Sequence, residues 1–95
     1  MTDSTFTLVN KEEISKLHFP ASEILTSDSQ ISSRNEAIQR AIALGNLEHQ
    51  KVTIYFSDHL GKKRVETTIW AVTDSAIVLK QNTVLPINRI HKLEI

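Results

Sequence analysis

The sequence predicts a mainly β fold with an α-helical start, in which a helix or helices precede a strongly bent, five-stranded antiparallel meander forming a small barrel. Three observations predict it. The chain has 95 residues, one domain's worth, since domains most often run to about 100–150 residues. Apolar spacing is helical before Gly45 and changes to a period of two after it. Short apolar runs in the second half are separated by turn residues, as small barrels require. The expected layout is a single domain over 1–95, with an N-terminal extension over 1–33, a helix over 34–44 and the barrel over 51–95.

The extension opens with Thr5-Phe6-Thr7-Leu8-Val9, read as an extended arm. Asn10-Lys11-Glu12-Glu13 then starts a short helix over 11–18. The Asn side chain can accept from orphan backbone N–H groups, and Glu13 can reach back to complete a capping box. Pro20 stops the helix, which is too short to persist without docking. Residues 21–30 are rich in Ser, Thr and Asp and read as a loop, with Ile24 and Leu25 as its anchor. Ser33-Arg34-Asn35-Glu36 fits a second capping box. Ala37, Ile38, Ala41 and Ile42 follow at helical spacing, and Gly45 stands where a left-handed terminator is wanted. The stripe is narrow and partly alanine, so this helix is expected to lie close against a sheet.

Val52, Ile54 and Phe56 share one face of the first strand. Asp58 and Gly61 supply the chemistry of the following turn. Lys63 to Thr73 reads as one long strand whose two faces both become apolar at Ile69-Trp70-Ala71-Val72. A strand does this where it bends from one side of a small barrel to the other. Ala76–Lys80 is the third strand, Gln81-Asn82 a two-residue turn, and Thr83–Ile87 the fourth strand. Pro86 within the fourth strand places it at an edge. Asn88-Arg89 turns the chain into a last strand over 90–95.

A helix followed by five strands, the second long and bent, resembles the Sm-like small β-barrel superfamily, which is also SH3-like in form. Val52-Thr53-Ile54-Tyr55 and Asp74-Ser75-Ala76-Ile77-Val78-Leu79-Lys80 resemble the first and third strands of the bacterial host factor Q type. Asn82-Thr83-Val84 resembles its following turn, and Ile87-Asn88-Arg89-Ile90 falls near its second signature. The resemblance covers about residues 34–95; residues 1–33 resemble nothing named. It implies single-stranded RNA binding around Asn88 and Arg89. Ile87-Asn88 stands where that type carries its uridine-contacting lysine and histidine, and Asn88-Arg89 is closer to the turn of archaeal and eukaryotic Sm proteins. Barrels of the Rho-binding antiterminator type are also similar, and imply a protein partner. Trp70–Asp74 with Val84–Ile90 is similar to a strand phrase of bacterial pleckstrin-like domains, but the chain ends without the C-terminal helix of that fold.

The composition, 40% hydrophobic and 23% charged, is globular. Eleven basic residues balance eleven acidic ones. Residues 1–50 carry four basic and seven acidic side chains, and residues 51–95 carry seven and four. The positive excess therefore falls on the barrel half. Without cysteine there are no disulfides and no thiolate chemistry. No signal-like leader or membrane-length apolar run is present, so a soluble cytoplasmic protein is expected. His18, His49, His59 and His91 are scattered without zinc spacing, and no nucleophile elbow or glycine-rich cradle occurs. No enzyme activity, metal or cofactor is therefore expected. The candidate binding residues are Asn88, Arg89, Lys62, Lys63, Arg64 and Lys92 as a basic patch, with Tyr55 and Trp70 as aromatic platforms. A solvated hairpin tip is the favoured reading of Lys62-Lys63-Arg64, and cover for the bent sheet that of Trp70. The expected partner is another protein or a second copy of the chain, with single-stranded RNA as the alternative.

Overall fold

Thr68 divides what the sequence presents as one strand. The computed structural model describes residues 5–80 and 83–95. In it the long strand becomes β3 (Lys62–Thr67) and β4 (Ile69–Val72), which belong to different sheets. The other strands are β1 (Thr7–Leu8), β2 (Val52–Ser57), β5 (Ala76–Leu79), β6 (Val84–Pro86) and β7 (Ile90–Glu94), with one long helix, α1 (Asp28–Glu48). Short 3-10 helices occupy Lys11–Lys16 and Ile87–Arg89. The first sheet has the order β1-β3-β2-β7 and the second β4-β5-β6.

Among the described residues seven strands therefore replace the five expected. The bend adds one, and the N-terminal arm adds another by pairing parallel to β3, Thr7 opposite Lys63 and Leu8 opposite Arg64. The ladder is thus not wholly antiparallel. Nor does it close: β7 pairs with β2, and among the described residues no ladder joins β6 to β7. The Gln81-Asn82 turn lies outside the described residues.

Alternation along the strands builds the core. Ile54, Phe56, Val65, Ile69, Ile77, Leu79, Leu85 and Ile90 are fully buried between the sheets and α1. Each contributes about 1.5–3 kcal/mol of apolar burial. Ile38 and Ala41 of α1 and Ile14 of the first 3-10 helix complete the cluster. That short helix replaces the one expected over 11–18. Its start follows the expected chemistry, with Asn10 N–H donating to Glu13 Oε1 at 2.9 Å.

The main helix is 21 residues long, not the expected 34–44. It begins after Ser27, so the Ser33–Glu36 box lies inside it, and only residues 21–27 remain as loop. No proline or glycine stands between Asp28 and Ser33 to prevent the extension, and Asp28 suits the positive end of the helix dipole. The terminator is also different. His49 takes the left-handed conformation (φ 55°, ψ 32°), its N–H donating to Gly45 O at 3.0 Å. Gly45 is internal, and its role is proximity. A Cβ there would stand 2.5 Å from Ile69 O and 2.9 Å from Thr68 Cγ2. The missing methyl lets α1 rest directly on the backbone of the bend.

Two glycine exchanges should therefore have opposite signs. Gly45→Ala gains up to about 1 kcal/mol of helix propensity but must displace backbone, at a cost of about 1–3 kcal/mol, so its urea midpoint falls. His49→Gly relieves a left-handed side chain and raises the midpoint by about 0.5–1 kcal/mol.

Candidate functional site

The residues expected to form one basic patch are separated. Strand alternation sends Lys63 to the opposite face from Lys62 and Arg64. Lys63 Nζ lies 3.0 Å from Asp58 Oδ1, in a buried ion pair. The same carboxylate oxygen accepts from Leu60 and Gly61 N–H at 2.9 and 3.0 Å, shaping the β2–β3 turn. Burial alone would raise the Asp58 pKa; the Lys63 bond and the two backbone donors outweigh it, and the carboxyl lies below its ordinary value. Arg64 faces Glu66 at 3.9 Å, a surface pairing of little energetic weight.

Asn88 and Arg89 point inward to the extension. Asn88 Nδ2 donates to Ala21 O, and Ile24 N–H donates back to Asn88 O at 3.1 Å. Arg89 is 8% exposed. Its Nη1 donates to Ser22 O at 2.9 Å and its Nε to Ser57 O at 3.2 Å. The two side chains best suited to holding a ligand hold residues 21–24 of the chain itself.

The same segment is fastened a second time. Arg34, 4% exposed, forms a bidentate pair with Glu23, Nη1 to Oε2 at 2.8 Å and Nη2 to Oε1 at 2.7 Å. Nη1 also reaches Ile90 O at 3.1 Å. The Arg34 hydrogen bonds, helped by Leu25 N–H, pull the Glu23 carboxyl from 4.5 to about 2, against an opposing push from burial. Among the described residues, Arg34 Nε and Asp58 Oδ2 are buried without a hydrogen-bond partner.

Tyr55 is buried, not offered as a platform. Phe6 packs edge-on against it with ring centroids 5.0 Å apart, Lys92 Nζ sits 4.8 Å from its centroid, and its hydroxyl donates to Glu94 at 2.7 Å. Lys62 in turn lies over Phe6 at 5.5 Å. Trp70 is 44% exposed, in the irregularity where β4 slips against β5 between Ile69 and Ala71.

Two contacts escaped sequence reasoning because each spans more than 30 residues. Ser57 Oγ and His91 Nε2 lie 2.6 Å apart. Burial first, then the positive charges of Lys62 and Arg89, lower the His91 pKa and favour the neutral ring. Among the described residues no hydrogen bond orients its Nδ1. His18 and His59 meet with ring centroids 5.3 Å apart. No group of three or more His, Asp or Glu is placed to hold a metal among the described residues, and no described helix is long and apolar enough to cross a membrane.

The outer face of the second sheet is different in character. Ala71, Val78 and Val84 are register partners across its three strands, and Ala76 with Pro86 form the next pair. None carries a charge, while the intervening Ile77, Leu79 and Leu85 fill the core. Val84 is 51% exposed. The flanking bonds, Leu79 N–H to Thr83 O at 2.6 Å and Ile87 N–H to Ser75 O at 2.9 Å, fix the parity of the β6 edge. Odd-numbered residues direct backbone groups at β5, so Val84 and Pro86 direct theirs outward. Proline thus stands where an outward N–H would otherwise be.

Compared with protein-family models, with curated proteins and with solved structures, the chain matches nothing.

The ion pair at Arg34 and the Asp58 turn should govern acid stability. A carboxyl whose folded pKa lies below its unfolded value stabilises the fold above the unfolded pKa and loses that contribution as pH falls through the folded one. Urea midpoints should therefore hold steady above about pH 5 and decline between 4.5 and 2, the limits of the Glu23 shift. Glu23→Gln should flatten that decline. Arg34→Met, which strands Glu23 and the Ile90 carbonyl, should cost about 2–4 kcal/mol at neutral pH.

Proposed function

We propose that this chain is a non-enzymatic protein-binding module that associates with a second copy of itself through the outer face of β4-β5-β6. The uncharged row Ala71–Val78–Val84 carries the reading. An apolar face without charge meets its own copy with no like-charge repulsion, and a twofold axis closes such a pair. Trp70 at the margin offers an aromatic anchor of the kind that concentrates binding energy. The edge of β6 is a poorer candidate, because Pro86 supplies no outward donor for strand addition. The bend at Thr68 and the position of α1 ahead of β2–β7 support the Sm-like reading of the architecture.

Three strands about 4.8 Å apart and four residues long give a footprint of roughly 200 Å² per copy. That lies well below the about 800 Å² per partner of a stable complex, so association is weak. Single-stranded RNA is the less supported alternative, since Asn88, Arg89 and Lys63 already spend their donors within the chain.

Sedimentation from about 10 µM to 1 mM should show a monomer–dimer equilibrium with a dissociation constant on the order of 100 µM. Val84→Asp should leave a monomer of unchanged stability. The equilibrium should change little between about 50 and 200 mM salt, whereas phosphate-driven RNA binding would weaken steeply. A strict monomer at 1 mM, or saturable capture of a U-rich oligomer, would overturn the assignment.

A further inference from the structure

We propose that His18 and His59 form an open transition-metal site that clasps the N-terminal extension to the β2–β3 turn. The two residues are 41 positions apart, and both rings are exposed. Their backbones are joined, His59 N–H donating to His18 O at 2.9 Å. The same carbonyl lies 3.2 Å from His59 Nδ1. A carbonyl can only accept, so Nδ1 carries the proton. The lone pair of the neutral ring is left on Nε2, away from the carbonyl. A backbone carbonyl fixing one ring nitrogen and presenting the other is the usual support of a metal-ligating histidine.

The separation of the rings fits a shared ion. Zinc–nitrogen bonds of about 2.0–2.1 Å at a tetrahedral angle place two imidazole centroids roughly 5 Å apart, against 5.3 Å here. The rings meet edge to face, at 89°, so one must turn for both nitrogens to address the same ion. His18 is free to do so, because among the described residues no hydrogen bond holds its ring, and exposed side chains rotate on the nanosecond scale or faster.

Two imidazoles favour zinc, nickel and copper over magnesium or calcium. With two protein ligands the remaining positions belong to water or to a donor from outside the chain. In the unfolded chain the histidines are far apart, so the ion binds the folded state preferentially and stabilises it. The other two histidines are excluded on geometry. His91 Nε2 is engaged by Ser57, and His49 is the left-handed terminator of α1.

Thermal unfolding with added Zn²⁺ tests the site, at protein concentrations well below those of self-association. Zinc at about ten times its dissociation constant should raise the Tm by roughly 5–10 °C, and Mg²⁺ should not. His18→Ala or His59→Ala should abolish the rise, and His49→Ala should retain it. If His59→Ala weakens the fold itself, His18→Gln removes one ligand from an exposed ring and gives the same reading. Zinc should also shift the His18 and His59 ring resonances together. No rise up to about 1 mM zinc, or a rise that survives His18→Gln, would overturn the proposal.

Discussion

Arg34 needs an anion, and much of the molecule is arranged around that need. A guanidinium taken out of water must be paired or the fold does not tolerate it. Glu23 supplies the charge and Ile90 the carbonyl. One side chain of α1 thereby fixes the extension on one side and the start of β7 on the other. Arg89 and Asn88 repeat the device from the opposite wall, taking the carbonyls of Ser22 and Ala21. The loop between Pro20 and α1 half-buries Ile24 and Leu25. Its polar groups are held by cations and amides that would otherwise be unpaired.

The halves of the chain carry opposite charge imbalances. The ion pairs among the described residues, Lys11–Glu12, Arg34–Glu23, Lys63–Asp58 and Arg64–Glu66, each lie within one half of the chain. Among the described residues no ion pair joins the acidic half to the basic half. The halves are joined by uncharged acceptors, the carbonyls of His18, Ala21 and Ser22, and by aromatic contact of Phe6 with Tyr55 and His91. Such attachments are less sensitive to salt than ion pairs between the halves would be.

Local chemistry was legible in the sequence, and distant chemistry was not. Alternation of Val52, Ile54 and Phe56, the apolar doubling at Ile69–Val72 and the placement of Pro86 at an edge follow from residues within a few positions of one another. The boundaries of α1 failed because capping boxes are permissive: Ser33 and Glu36 could have begun a helix, but nothing before them ended one. Gly45 was read as a stop because glycine ends helices often; its true reason, the Ile69 carbonyl, lies 24 positions away. The candidate patch was divided for the same reason. Lys62-Lys63-Arg64 is a charge run in sequence, yet a strand divides such a run between two faces. Asn88 and Arg89 were recognised as donors, and only the fold could say which acceptors they had found.

If copies associate as proposed, Pro86 would also bear on how many can gather. A free strand edge accepts another edge, which leaves a new edge behind it, so addition there propagates into a filament. A face that meets its own image is used up at two. On the proposed self-association, withholding one N–H from the outside of β6 would exchange open-ended growth for closure.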